Sequence, residues 1–237
     1  IGALSLYSNT TGIHNTAIGD DSLFSNTTGN YNTAIGQNSL KDNTTGSDNS
    51  ALGDNCLGNN TEGNYNTAVG SVALNKNTTG NNNTAIGQDS LKKNTTGSNN
   101  TAIGFKAGDR ITTGNNNVLI GYKADPLAAT GSNEIVIGYN ARGTGNNSVT
   151  LGNSDVSSVY MSQDSGATVF CKGLTNTAGD GLQLLTNRDT NEKILIKNQQ
   201  GAADDSIKLE SSAGGITLAS ATTLSSTLTI ADTLTLS

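Results

Sequence analysis

The chain repeats one pattern of hydrophobic, polar and glycine positions at a constant seventeen-residue period. A clear copy is Thr84-Ala85-Ile86-Gly87, in which an aliphatic residue precedes a glycine. The glycine recurs without insertion or deletion at Gly2, Gly19, Gly36, Gly53, Gly70, Gly87, Gly104, Gly121 and Gly138. One more copy, ending at Gly152, follows after a shorter interval of fourteen residues. A fixed period of this kind predicts a solenoid, in which each coil packs mainly on its neighbours.

A second glycine lies ten residues after the first in each coil. Its copies are Gly12, Gly29, Gly46, Gly63, Gly80, Gly97, Gly114 and Gly131. Glycines at fixed offsets indicate positions of positive φ or positions where neighbouring coils approach closely. We therefore predict two short strands and two turns per coil, over residues 1–152.

Residues at equivalent positions of successive coils form columns, and two columns are predicted to fill the core. The first is the aliphatic column before the strand glycine: Ile18, Ile35, Leu52, Val69, Ile86, Ile103, Ile120 and Ile137. Two residues earlier stands a column of mostly Thr, which shares its face because side chains alternate along a strand. The second predicted core column is Leu23, Leu40, Leu57, Leu74 and Leu91, on the second strand of each coil.

Two further columns are predicted to lie elsewhere. The small residues between the Thr and aliphatic columns would then point outward, and we expect them to contact another chain: Ala17, Ala34, Ala51, Ala68, Ala85 and Ala102. An asparagine ladder is predicted to hydrogen-bond from coil to coil. Its members are Asn15, Asn32, Asn49, Asn66, Asn83, Asn100 and Asn117.

Composition limits the function classes. Hydrophobic residues are only 33% of the 237 residues and aromatic residues 4%, which is too few for a large globular core, while the regular apolar spacing argues against disorder. A net charge of −6 disfavours a nucleic acid or an anionic membrane as partner. No apolar run approaches the roughly 18 residues of a membrane span, so no membrane insertion is expected.

The sequence offers little catalytic or metal-binding chemistry. The single histidine, His14, shares a freely varying turn column with Tyr31 and Asp48, and no cysteine cluster could bind zinc. Asp20, Asp21 and Asp54 are candidate ligands for a calcium ion, but the glycine-aspartate nonapeptide of calcium-binding β-rolls is missing. We expect no enzyme activity, no cofactor and no metal. Cys56 occupies a small-residue slot, and a disulfide with Cys171 is not expected.

Beyond Gly152 the period stops. Residues 153–180 are predicted to be an exit or neck segment. Residues 181–237 alternate apolar and polar positions between polar turns, which predicts a β-rich shaft that buries its apolar face between intertwined chains. An independent small sandwich is the alternative.

The motifs Asn147-Ser148-Val149-Thr150-Leu151-Gly152 and Asn-Thr-Ala-Ile-Gly resemble the head repeats of trimeric autotransporter adhesins. Repeats of the form Tyr-Ser-Asn-Thr-Thr-Gly followed by Asn-Thr-Ala-Ile-Gly, as in residues 7–19, are closer to phage tail-fibre proteins, many of which end in a self-cleaving chaperone of the endosialidase type. The resemblance covers about two thirds of the chain. It implies an all-β, left-handed parallel β-roll with three chains around one axis.

The function that this resemblance implies is that of a structural and attachment fibre, as in a phage tail fibre, located on a virion or a cell surface. Its partners would be two further copies and a host cell-surface glycan or protein. Because the chain begins in mid-repeat, a segment of a longer protein is expected, and Ser237 would be a processed end if the chaperone had been removed.

Two alternatives remain open: the head of a bacterial trimeric surface adhesin, and a monomeric ice- or ligand-binding solenoid. Adjacent pairs such as Thr27-Thr28 point to opposite sides of a strand and do not supply an outward Thr-x-Thr motif. Exposed aromatic residues could contact sugars, since they present an apolar ring face with a polar edge. The candidates are Tyr31, Tyr65, Phe105, Tyr122 and Tyr139.

Overall fold

The computed structural model describes residues 1–156. The predicted shaft, Cys171, Ser237 and most of the neck lie outside the described residues. Residues 1–156 contain no helix and form nine short strands in one parallel sheet, ordered as in the sequence. The strands are β1 (Thr16–Ile18), β2 (Thr33–Ile35), β3 (Ser50–Leu52), β4 (Thr67–Val69), β5 (Thr84–Ile86), β6 (Thr101–Ile103), β7 (Val118–Ile120), β8 (Glu134–Ile137) and β9 (Ser148–Leu151).

Each strand pairs with the equivalent strand of the next coil. In β5 and β6, for example, Ala85 lies opposite Ala102 and Ile86 opposite Ile103. Paired residues are one full repeat apart from β1 to β8, whereas Glu134 of β8 lies opposite Ser148 of β9, across the shorter last repeat. The predicted parallel solenoid is confirmed, and at about 4.8 Å per strand its nine strands span about 38 Å.

The rest of each coil consists of turns instead of the predicted second strand. The leucine column lies in these turns with left-handed backbone angles, for instance φ 51° at Leu57 and φ 47° at Leu91. Because this φ is incompatible with a strand, the prediction of two strands per coil is wrong for the described residues. The turn nevertheless directs every leucine side chain inward.

The core is built mainly from the leucine column and the alanine column, with small buried residues such as Cys56 and Ala73 beside the leucines. Leu23, Leu40, Leu57, Leu74 and Leu91 are all fully buried, in agreement with the sequence analysis. The alanine column is buried as well, which contradicts the predicted outward, interchain position of Ala17, Ala34, Ala51, Ala68, Ala85 and Ala102. The strands show the pattern exposed–buried–exposed, as in β1 and β3, with alanine in the middle.

The aliphatic column correspondingly lies on the outer face of the single chain, and its prediction as core is wrong. Ile18, Leu52, Ile86, Ile103 and Ile137 are exposed, and Leu52 is the most exposed at 49%. Ile35, Val69 and Ile120 are half-buried. A leucine from the turn already fills the narrow interior, so only a small residue fits on the strand opposite it.

Near Gly108 the leucine column has a smaller residue and the alanine column a larger one. Gly108 replaces the leucine in its coil, and the alanine column becomes Leu119 in the next. A Cβ built on Gly108 would lie 2.9 Å from Leu119 Cδ1 and 2.8 Å from Leu91 Cδ2. Leu119 therefore occupies space that the missing leucine leaves, which explains why a larger residue enters the column there.

Glycine is required in the two glycine columns for different structural reasons. At Gly87 φ is +127°, and a Cβ would lie 2.5 Å from the carbonyl oxygen of Gly104 in the next coil. At Gly80, whose φ is ordinary, a Cβ would lie 2.3 Å from the carbonyl oxygen of Gly97. Positive φ and close approach thus both constrain the first column, whereas close approach alone constrains the second.

Candidate binding surfaces

The outer face of the sheet carries a continuous row of aliphatic side chains, which we term the aliphatic face. It comprises the aliphatic column together with the residues two positions earlier in each strand. These are Thr or Ser in β1–β6 and become Val118, Ile135 and Val149 in β7–β9. The face is therefore mixed hydroxyl and aliphatic over six strands and wholly aliphatic over the last three.

The predicted asparagine ladder connects the coils through buried side chains. Asn66 Nδ2 donates to the carbonyl oxygen of Gly80 at 2.9 Å and to Asn49 Oδ1 at 3.1 Å. Asn66 Oδ1 accepts from the backbone N–H of Asn83 at 3.0 Å. Asn32, Asn49, Asn83, Asn100 and Asn117 are also buried, and Asn15 at the first coil is half-buried. These side chains satisfy turn backbone groups that the solenoid hides from water.

A second buried ladder, which the sequence analysis missed, runs through Asn26, Asn43, Asn60, Asn77 and Asn94. Within it, Asn77 Nδ2 donates to Asn60 Oδ1 at 2.8 Å and to the carbonyl oxygen of Gly80 at 2.9 Å. The ladder ends at Asn94, whose Oδ1 has no hydrogen-bond partner because Ile111 occupies the next position. The available signal is an asparagine three positions before the second glycine of a coil, which recurs from Asn9 before Gly12 to Asn94 before Gly97.

Most of the aromatic residues predicted to contact sugars are stacked on one another. Phe105 and Tyr122 have ring centroids 5.4 Å apart, and Tyr122 and Tyr139 have centroids 5.1 Å apart. Tyr31 stacks on His14 at 4.8 Å, and Tyr65 is 62% exposed. Where rings stack face to face, the shared faces are closed to a sugar and only edges, hydroxyl groups and end faces remain.

Basic residues cluster near the stacked rings of Phe105, Tyr122 and Tyr139. Residues 92–142 contain six Lys or Arg against three Asp or Glu, a net charge of +3, whereas residues 1–91 contain two against seven, a net charge of −5. Lys106, Arg110 and Lys123 line an open groove of about 610 Å³. We call this the basic groove.

Two of these cations each lie over an aromatic ring. Lys106 Nζ lies 5.3 Å from the centroid of Phe105, and Lys123 Nζ lies 5.2 Å from that of Tyr122. The salt bridges found within residues 1–156 are Lys41–Asp21, Lys92–Asp89 and Lys93–Asp109. Lys106, Arg110 and Lys123 thus carry no salt bridge to any residue that the structure describes.

A partly buried carboxyl group forms part of the groove wall. Asp125 continues the leucine column, and burial raises the pKa of its carboxyl to about 6. The backbone N–H of Arg110 donates to Asp125 Oδ1 at 3.1 Å, and this hydrogen bond partly offsets the rise. Lys93 Nζ pairs with Asp109 Oδ2 at 3.1 Å. Because the carboxyl of Asp125 ionises near pH 6, the groove gains a negative charge as the pH rises through this value.

The remaining candidate groups lie apart. Cys56 is buried, its thiol contacts the carbonyl oxygen of Ala68 at 3.2 Å, and burial raises its pKa to about 12. Within residues 1–156 no group of three or more His, Cys, Asp or Glu side chains is placed to hold a metal ion. The same residues contain no helix that is long and apolar enough to cross a membrane.

Comparison with known proteins found no family model, no curated protein and no solved structure that matches the chain.

Proposed function

We propose that the chain is a segment of a homotrimeric structural and attachment fibre, of the kind found in phage tail fibres. Its nine coils form a stiff rod, wound as a left-handed β-roll, that spaces or presents a receptor-binding end. The observation that carries the proposal is the aliphatic face, which runs unbroken along all nine strands.

The position of the aliphatic face favours self-association of identical rods. Copies arranged about an axis parallel to the rod would bring equivalent coils of each copy to the same height, so every strand could bury its aliphatic residue. The core of a single coil is small, a leucine opposite an alanine with one further small residue such as Cys56 or Ala73 beside them, which leaves the isolated chain little buried apolar surface to offset the ordering of a whole coil. Burial of the aliphatic face would add the missing contribution, and this face replaces the alanine column as the expected contact.

The number three rests on the resemblance of the repeats to trimeric fibres and adhesin heads. Multivalent display would follow from it, because three linked sites bind with greater avidity than one. A head of a bacterial trimeric adhesin would use the same interface and remains the alternative within this class.

The test is the solution mass of the full chain by sedimentation, with electrophoresis before and after boiling. We expect three times the 24.1 kDa chain mass and a band that resists detergent until boiled. The variant Ile86→Asp with Ile103→Asp should dissociate, because it places carboxylates in the interface. The matched control is Asn82→Asp with Asn99→Asp, which adds the same charge in the exposed turn column where Asp48 stands. A folded wild-type monomer would refute the fibre.

One observation favours a second candidate, a monomeric ice-binding solenoid. The aliphatic face presents Thr and an aliphatic residue side by side on β1, β2, β4, β5 and β6, in parallel rows at strand spacing. Such a face could order water on its hydroxyl and methyl groups. A monomer with thermal hysteresis that Thr84→Lys and Thr101→Lys abolish would support this candidate; a monomer without hysteresis would exclude it.

A further inference from the structure

We propose that the basic groove binds a short acidic oligosaccharide through its carboxylate groups. The inference deepens the attachment part of the proposed function, on which it rests, by naming the chemical class of the receptor. It is independent of the aliphatic face, which lies on the strands, whereas Lys106, Arg110 and Lys123 lie in the turn segments.

The fold does not require lysine at the two central positions. Lys106 and Lys123 stand second after the strand glycine, in a column where φ is positive in every coil, with values of 56° and 50° at these two residues. Five of the nine members of this column are Asp or Asn, the residue types that best tolerate such angles. Lysine has no conformational advantage there, so its side-chain charge is the feature that distinguishes these coils.

The two ammonium groups are arranged to receive an anion. They come from adjacent coils, so their backbones are about 5 Å apart, and their like charges repel unless an anion lies between them. Each is positioned over an aromatic ring of the preceding residue, which limits the side-chain entropy that binding would remove. Arg110, which is exposed on the same groove, adds a planar guanidinium that can hold a carboxylate through two hydrogen bonds.

The surroundings favour a short oligosaccharide over a nucleic acid. The rings of Phe105, Tyr122 and Tyr139 stack on each other, so their shared faces are closed to the bases that would stack on aromatic side chains of a single-strand-binding surface. The coils of residues 1–91 carry a net charge of −5 and would repel a long polyanion that extended along the rod. Sugar hydroxyl groups can still contact the ring edges and the tyrosine hydroxyl groups beside the lysines.

The experiment is calorimetric titration of the full chain with size-matched oligosaccharides at low salt. Oligogalacturonate and oligosialate test carboxylates, sulfated dextran oligomers test sulfate, and neutral dextran oligomers are the uncharged control. We expect both carboxylate oligomers to bind, neutral dextran not to bind, and affinity to fall as salt is raised. The double variant Lys106→Gln with Lys123→Gln should lose about tenfold or more in affinity. Lys76→Gln, an exposed lysine of the acidic half, is the matched control and should bind as wild type.

Several outcomes would overturn the inference: equal binding of neutral dextran, unchanged affinity in the double variant, preference for sulfated dextran over both carboxylate oligomers, or tighter binding of a single-stranded oligonucleotide of equal charge. Solution mass is measured on the same samples. A trimer that fails to bind carboxylates refutes this inference alone, whereas a monomer that binds them refutes the fibre and leaves the groove in place.

Discussion

The same substitution, leucine to alanine, can be made on the inner and the outer face of one coil to compare their contributions to folding and association. Leu57 is fully buried in the core, and Leu52 in the same coil is 49% exposed on the aliphatic face. We expect Leu57→Ala to lower the free energy of unfolding by about 2–5 kcal/mol through lost burial and a cavity. Leu52→Ala should instead weaken association and leave the fold of the single chain intact. Chemical denaturation and sedimentation of both variants measure the difference; an equal loss of folding stability in both would contradict the assignment of faces.

The carboxyl of Asp125 should make stability depend on pH. Its pKa is about 6 in the folded chain against an ordinary value of 3.8, so the folded state holds this proton more tightly than the unfolded state. Its contribution favours the folded chain at low pH and is lost as pH rises from about 4 to about 6. Asp125→Asn keeps the oxygen that accepts from Arg110 but cannot ionise.

The measurement for Asp125 is the melting temperature between pH 4.5 and pH 8. The Asp125→Asn variant should melt above wild type at pH 8, and its advantage should shrink toward pH 4.5. Asp48→Asn, on an exposed turn, is the control for the change in net charge. A constant difference between Asp125→Asn and wild type across this range would show that burial does not shift this carboxyl.

At the scale of the structural element, the strand before the first glycine of each coil and two of the columns could be predicted, but the orientation of the strand could not. Alternation along a three-residue strand defines two faces without saying which is inside. Residue size favours the larger aliphatic residues for the core, yet the turn already fills the core with Leu57 and its equivalents. The informative signal was the exchange of volume at Gly108 and Leu119, which requires the leucine and alanine columns to be in contact.

The sequence predicts strands where the leucine turns lie, for a related reason. Leucine in the left-handed region is rare, so Leu57 and Leu91 gave no local indication of a turn. The repeated backbone hydrogen bonds between coils stabilise this conformation, for example from Leu57 N–H to the carbonyl oxygen of Ala73 at 3.0 Å. The sequence analysis also does not predict the basic groove, because Lys106 and Lys123 are seventeen residues apart and only the stacking of coils brings them together.

The hydrogen bonds of the asparagine ladder predict how strongly the loss of one side chain destabilises its own coil and the next. Asn66→Ala would leave the buried backbone N–H of Asn83 without its hydrogen-bond partner, whereas the carbonyl oxygen of Gly80 would keep the bond that Asn77 Nδ2 donates. We expect a loss of about 1–3 kcal/mol in the free energy of unfolding, because an unsatisfied buried N–H group loses its full hydration. Asn59→Ala, an exposed asparagine of the preceding coil, is the control and should cost little.

Hydrogen exchange makes the ladder prediction specific to its location. The amide of Asn83 should exchange faster in the Asn66→Ala variant, while amides several coils away, such as that of Asn117, keep their protection. Uniform loss of protection along the solenoid would mean that the coils unfold as one unit and that the ladder has no local role.

For the whole molecule, the constant register between coils predicts that the rod can be shortened by whole repeats. Deletion of residues 71–87 joins Gly70 to Gln88 and returns every column to its own position, because Ser71 and Gln88 are equivalent. Strand β4 would then pair with β6 in the register that β4 and β5 have now. We expect a folded protein of the same oligomeric state whose rod is shorter by about 4.8 Å.

Deletion of residues 71–86 is the matched control. It removes one residue fewer and shifts every later column by one position, so the alanine and aliphatic columns exchange faces and asparagines leave their ladders. Circular dichroism, sedimentation and small-angle scattering of the two deletions should give a folded, shortened rod for the first and an unfolded or aggregated chain for the second. Because nearest-neighbour contacts between coils carry the stability of a solenoid, equal tolerance of both deletions would mean that register between the columns does not hold the rod together.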